Sequence, residues 1–151
     1  MLELATQQDR AAINELAREV HELHVSWRPD LYRMPEELYP AERFEECIRQ
    51  RQLYTAKLNG IVVGFVLIRQ RRYEEIGQVF RKVLLLDEIC VAESLRGHGI
   101  GTQIMEEVRA LARAFGCTDM QLGVYPQNDA AVSFYQKCGF QIKSIDMHRK
   151  V

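Results

Sequence analysis

The stretch "RKVLLLDEICV", from Arg81 to Val91, runs through "AES" into "LRGHGIGTQIMEEV", and this junction limits what the chain can become. The first part is largely apolar and reads as a central strand. The second places Gly97, Gly99 and Gly101 at alternate positions ahead of a helical pattern, with Ile104, Met105, Val108, Leu111 and Ala112 on one face. Glycine lowers helix stability by roughly 1 kcal/mol per interior position. Glycines at a helix start therefore imply that something approaches the backbone closely. Strand, glycine turn and helix start together bind anions: free N–H groups point outward, the helix dipole adds positive potential, and no Cβ atoms hold the ligand away.

The 151 residues suffice for one domain with a real core, and the whole chain reads as one domain, 1–151. Hydrophobic residues are 47% and charged residues 27%, ordinary for a globular chain. A net charge of −1 gives no basic field for nucleic acid or an anionic membrane. No apolar run reaches the ~20 residues of a membrane span, and "MLELATQQDR" lacks a signal-peptide pattern. The expectation is a cytoplasmic protein without nucleic-acid or membrane partners. Cys47, Cys90, Cys117 and Cys138 form no C-x-x-C pair and read as free thiols in a reducing compartment.

"LELAT" is a short strand candidate. Asp9 can cap a helix bearing Ile13, Leu16, Ala17, Val20, Leu23, His24 and Trp27, which Arg28-Pro29 ends. A second helix is expected over about Ala41–Gln52. Two β-rich runs flank Asn59-Gly60, a strong hairpin signal. "RQRRYEEIGQVF" reads as a polar excursion before the central strand. A helix follows from about Gly101 to Phe115, stopped by Gly116. "MQLGVY" is a strand, Asn128 caps a helix through Cys138, and "FQIKSIDMHRK" is expected to be a last strand. The order β-α-α-β-β-β-α-β-α-β implies an α/β or α+β fold on one mixed sheet.

Three phosphate-binding readings compete for the glycine segment. A P-loop needs a lysine after the glycines, and none is present. A dinucleotide fingerprint from Gly97 and Gly99 would close at Thr102, one place out, although Asp119 lies about 20 residues on. The third fits. Arg96, Gly99 and Gly101 match Q/R-x-x-G-x-G/A, and "NDAAVSFYQKCGF" carries Asn128, Ala131, Phe134, Tyr135, Gly139 and Phe140 in the spacing N-x-x-A-x-x-F-Y-x-x-x-G-F. These segments resemble the GNAT family of N-acetyltransferases, specifically from about Leu53 to Phe140 and schematically before that; Ala5, Thr6 and Asp9 also resemble a common family opening.

The resemblance implies a single-domain GNAT fold, a mixed sheet with splayed parallel strands flanked by helices. It implies acetyl-CoA as co-substrate, with no metal. Backbone groups of Arg96, Gly97, His98, Gly99, Ile100, Gly101 and Thr102 would hold the pyrophosphate. Pantetheine would lie between "LLLDEICV" and "MQLGVY", along Ile89, Cys90 and Val91, as an added strand. An N–H there would hold the thioester oxygen, where charge grows during attack. Glu88 or Asp87, directly or through a water, would take the proton of the amine. Adjacent on a strand, they are expected to face opposite sides. Tyr135 occupies the family's acid position and Asn128 would bind the cofactor or cap its helix.

The acceptor is expected to be a small-molecule or peptide amine. "SWRPDLYRMPEELYP" joins the first two helices, where the family forms its acceptor wall, and carries Trp27, Asp30, Tyr32 and Tyr39. Aromatic faces attract ammonium groups; Arg33 would instead suit an acceptor carrying a carboxylate. An acetyl-cysteine on Cys90 would need an adjacent base, and no histidine lies near it. His21 and His24 share a helix face but lack a third metal ligand at suitable spacing. Arg69, Arg71, Arg72, Arg81 and Lys82 read as a solvated hairpin end. A homodimer is compatible with the sequence. The alternative function is a non-catalytic acyl-CoA binding or sensing module on the same fold.

Overall fold

A computed structural model describes residues Met1–Val151. The elements are β1 Leu2–Leu4, α1 Arg10–Trp27, α2 Ala41–Arg49, β2 Leu53–Leu58, β3 Ile61–Tyr73, β4 Arg81–Val91, α3 Ile100–Ala114, β5 Asp119–Leu122 and α4 Asp129–Lys137. The sheet order is β1-β2-β3-β4-β5. Neighbours are antiparallel except β4 and β5, which are parallel. No helix is long and apolar enough to cross a membrane.

Helices cover both faces. Ile104, Met105, Val108 and Ala112 of α3 pack on Val66, Ile68, Leu84 and Leu86. Ile13, Leu16 and Ala17 of α1, with Phe44 and Cys47 of α2, pack on Leu53, Phe65, Leu67 and Cys90. The run Phe65-Val66-Leu67-Ile68 therefore alternates between two cores, and a strand of this kind has no polar face. Ala5, Thr6 and Asp9 are structural: Asp9 is buried, its carboxylate accepts from the Thr6 N–H (2.8 Å), and Lys57 Nζ lies 2.9 Å away. Asn59 and Gly60 both have positive φ (51° and 78°), as a tight primed hairpin turn requires.

Two expectations fail. "RQRRY" is not an excursion: β3 continues through Tyr73, paired with Arg81, and the guanidinium groups of Arg71 and Arg81 lie 4.7 and 4.9 Å from the Tyr73 ring centre. Cross-strand pairing carries a charged sequence that pattern alone reads as a loop. The last strand does not form: residues 141–151 make no backbone–backbone hydrogen bond.

Gly64 shows how tightly β3 and β4 meet. A Cβ there would stand 2.5 Å from the Cys90 carbonyl oxygen, a backbone atom with little room to yield. Gly64→Ala is expected to destabilise the fold by about 1–3 kcal/mol, the usual range for overpacking. A thermal melt checks this; an unchanged midpoint would mean that the strands can separate.

Candidate active site

The site grows from an irregularity in β4. Leu67 pairs with Glu88 and Ile68 with Leu86, so Asp87 is an extra residue, a β-bulge. Leu84 and Leu86 face α3 before it; Cys90 faces α1 after it. The bulge overturns the expectation that Asp87 and Glu88 face opposite sides. Arg69, which alternates with core-facing Ile68, forms a two-pronged ion pair with Asp87, so both acids lie on the α1 and α2 side.

Their environments differ. Asp87 is committed to Arg69. Glu88 is half-buried, with Arg43 of α2 3.3 Å from its carboxylate. The Tyr39 hydroxyl is buried, lacks a partner of good hydrogen-bond geometry and lies close enough to Glu88 for the two to perturb each other. Burial pushes the Glu88 carboxyl above the usual glutamate range, against the opposing pull of Arg43 and Tyr39. Tyr39 is thus a core residue beneath Glu88, stacked under the Arg43 guanidinium at 4.3 Å, and not part of an open wall. Sequence reading missed Arg43, whose tie to Glu88 crosses 45 positions.

Pairing with β5 stops at Leu86–Leu122, while β4 continues to Val91. Ala92 N–H donates to Val63 O (2.9 Å), which fixes the phase. Cys90 turns its backbone groups toward β3; Ile89 and Val91 turn theirs to the edge that β5 has left. The Val91 carbonyl on that edge accepts from Arg96 Nε at 3.0 Å. Of the three residues expected along a ligand, Cys90 is the one that turns away. Its thiol donates to Leu16 O (3.3 Å), and burial pushes it up to about 12, so it is no ready nucleophile.

At the end of β4, a single 3-10 turn (Glu93–Leu95) leads into the glycines. Gly97 and Gly99 have φ of 78° and 82°, conformations that L side chains rarely adopt. Gly99 caps α3 without a side-chain bond, and the first helical bond runs from Gln103 N–H to Gly99 O. None of the backbone N–H groups from Gly97 to Thr102 donates within the protein. Gly101 has a separate duty: a Cβ there would stand 3.2 Å from Phe134 of α4, so its lack of a side chain lets α4 seat on the start of α3. Arg96 holds the loop to α1 through Glu19 (3.1 Å), and His98 Nδ1 lies 2.9 Å from the Arg96 carbonyl.

Asn128 Oδ1 accepts from Ala131 N–H (3.1 Å), capping α4. Tyr135 packs against Phe134 and Phe140, and burial pushes its hydroxyl up to about 12. The first-linker residues separate. Trp27 and Tyr32 join His21, His24 and Tyr125 in one aromatic cluster, with the Tyr32 and Tyr125 hydroxyls 2.6 Å apart. Burial holds the His24 imidazole below its usual range, assisted by His21. Asp30 is gripped by Arg28 (2.9 and 2.8 Å), and Arg33 enters only through its carbonyl, 2.7 Å from His21 Nε2. Tyr125 follows β5 by three residues, and nothing in the sequence ties it to a linker 93 positions earlier.

A sheet whose parallel strands part beside a helix start of unpaired N–H groups defines a class of anion-binding fold. Residues 17–140 match the family model described as the Acetyltransferase (GNAT) family. The chain belongs to that family. It is 31% identical over 116 residues to GCN5-related N-acetyltransferase 7, chloroplastic, of Arabidopsis thaliana, an alignment covering 70% of this chain and 39% of that protein. The chain thus spans about two fifths of that relative. A mutant of the BH1408 protein from Bacillus halodurans has the same fold, with a TM-score of 0.93 at 26% identity over 100% of this chain and 99% of that one. So does aminoglycoside N-acetyltransferase AAC(6')-Iy in complex with CoA, at TM-score 0.72 and 18% identity, covering 100% and 99%.

Proposed function

We propose that this chain is an N-acetyltransferase that moves acetyl directly from acetyl-CoA to a primary amine while both are bound. The observation that carries the reading is the run of six unpaired N–H groups from Gly97 to Thr102 beside the free edge of β4. A pyrophosphate matches the run in charge and acceptor count. The edge groups of Ile89 and Val91 match the amides of pantetheine, so the residues present fit coenzyme A. Bound as acetyl-CoA, it would supply an activated acyl thioester. Asn128 keeps its side-chain N–H groups free of protein partners, since only its oxygen caps α4.

In this reading Glu88 takes the amine proton, directly or through a water. Its raised pKa suits it better than Asp87, which Arg69 occupies. Tyr135 stays protonated at neutral pH and donates a hydrogen bond to the sulfur. Full transfer of its proton to a thiolate of pKa ~8.5 is uphill, so stabilising the leaving group is the larger part of its role. Tyr135→Phe keeps the ring and its packing, and is expected to lower turnover by about 10²-fold. Steady-state kinetics check this, with unchanged acetyl-CoA affinity as the control; wild-type turnover would reduce Tyr135 to packing.

The amine would bind between the α1–α2 linker and the parted strands. Trp27 and Tyr32 offer ring faces there, while Asp30 already has its cation. A screen of amines with thiol release as readout tests the whole reading. CoA binding without thiol release from any amine would favour the non-catalytic module. Expression in the cytoplasm, without a metal, is part of the same proposal.

A further inference from the structure

Packing does not explain the hydroxyl of Tyr39. The residue is 0% exposed, and the oxygen has no protein partner of good geometry. A phenylalanine would fill the same space without burying an unpaired donor, which opposes folding. The residue is also held from every side. Its N–H donates to Asn14 Oδ1 (2.8 Å), and its carbonyl accepts from Asn14 Nδ2 and Arg10 Nε (both 3.1 Å). Phe65 meets the ring at 83° with centres 5.9 Å apart, and the Arg43 guanidinium stands 4.3 Å from the ring centre. A tyrosine fixed in this way can present its hydroxyl in only one direction.

The group within its reach is the Glu88 carboxylate, which has room for a second donor. Arg43 reaches only Oε1, from 3.3 Å, while the same guanidinium makes a shorter bond (2.6 Å) to the Leu38 carbonyl. No protein group donates to Glu88 Oε2. The titratable and charged groups around Glu88 are Arg43 and Cys47 of α2, Tyr39 of the linker, and Asp87 and Cys90 of β4. Asp87 is held by Arg69, and the Cys90 thiol donates to Leu16. Arg43 and Tyr39 are the two strong donors of the group. Leu38 and Tyr39 are consecutive, so one stretch of the linker both orients Arg43 and supplies the other donor.

We propose that Tyr39 is a positioning residue for the transfer: its hydroxyl donates to the Glu88 carboxylate and, with Arg43, holds that carboxylate in place to receive the amine proton. The proposal rests on the reading of Glu88 as the base. One long contact with Arg43 tethers Glu88, so a small turn of its side chain completes the bond. Burial keeps the Tyr39 hydroxyl far above the usual tyrosine range, so it donates throughout neutral pH. The amine's proton goes to Glu88, and Tyr39 keeps its own. A neutral donor favours the ionised carboxylate over the acid. Removing it should therefore raise the pH at which Glu88 loses its proton, and the acid limb of kcat/KM should follow.

Tyr39→Phe deletes the hydroxyl and keeps the ring. Carboxyl ¹³C titration of the full chain follows Glu88 directly, its signal assigned by its loss in Glu88→Gln. The Glu88 midpoint is expected to lie about 0.5–1 pH unit higher in Tyr39→Phe, a change of about threefold to tenfold in the proton equilibrium. The acid limb of kcat/KM should move by the same amount, with acetyl-CoA affinity and circular dichroism unchanged. Site-specific 3-fluorotyrosine at position 39 keeps the hydroxyl and makes it a stronger donor. It is expected to move both midpoint and limb to lower pH, and it decides the case if Tyr39→Phe fails to fold. A Glu88 midpoint that stays in place in the folded variants would overturn the proposal. A midpoint that moves under a fixed acid limb would overturn it differently: the hydroxyl then holds a carboxylate that is not the base, and the reading of Glu88 fails with it.

Discussion

Gly99→Glu is expected to weaken coenzyme A binding by about 100-fold or more, a loss of roughly 2.8 kcal/mol. Space is not the reason, since a Cβ at Gly99 would meet nothing within 4 Å. Two other effects act. The φ of 82° costs an L residue about 1–2 kcal/mol, so the loop would relax and misalign its N–H groups. A carboxylate at the helix start would also occupy the potential that draws the phosphates, at a place where charged hydrogen bonds are individually strong. Calorimetric titration measures the affinity and circular dichroism confirms the fold. Unchanged affinity in a folded variant would show that the loop does not hold the pyrophosphate. Gly99→Ala separates the two effects: it keeps the backbone penalty without the charge, and is expected to fall between wild type and Gly99→Glu.

Glu88→Gln is expected to lower turnover by about 10²–10⁴-fold, the usual reach of a general base. Binding of acetyl-CoA should not change, because the side chain faces α2 and not the edge left by β5. The pH profile carries a second test. As a general base Glu88 would work as the carboxylate, so kcat/KM should fall as pH drops through its raised pKa. Arg43 opposes that rise, so Arg43→Gln should move the acid limb to higher pH while leaving the plateau closer to wild type than Glu88→Gln does. An acid limb that stays in place in Arg43→Gln would mean that another group titrates. A turnover like wild type in Glu88→Gln would remove Glu88 from the chemistry.

Much of this was legible in single segments. The run from Arg81 to Val91 became β4 with those same ends, and Asn128, Gly116 and Gly139 fell where helices start or stop. Each is a local signal: apolar continuity, a capping oxygen, a positive φ. The glycine loop was legible for the same reason, since Gly97 and Gly99 report backbone angles directly. Tertiary pairing was not. No composition announces that Asp87 is an extra residue, because a bulge is defined against the partner strand. Arg43 under Glu88 and Tyr125 against Tyr32 join distant positions. Gly101 has a second duty that the loop pattern does not announce: its missing Cβ accommodates Phe134. The last strand failed because propensity describes a segment and pairing needs a neighbour.

The bulge at Asp87 has a consequence for how this strand can vary over evolutionary time. Side-chain direction along β4 is a parity, and the single extra residue switches it midway. Remove Asp87, and the register closes with Leu86 still opposite Ile68 and Glu88 still opposite Leu67, so Glu88 stays on the α1 and α2 side and the ion pair with Arg69 is what is lost. At the bulge a deletion and a substitution are thus alike: each changes one contact and exchanges no sides. In descendants of this chain, strand length is therefore free to drop by one at Asp87, while the alternation of sides on either flank of it is held fixed.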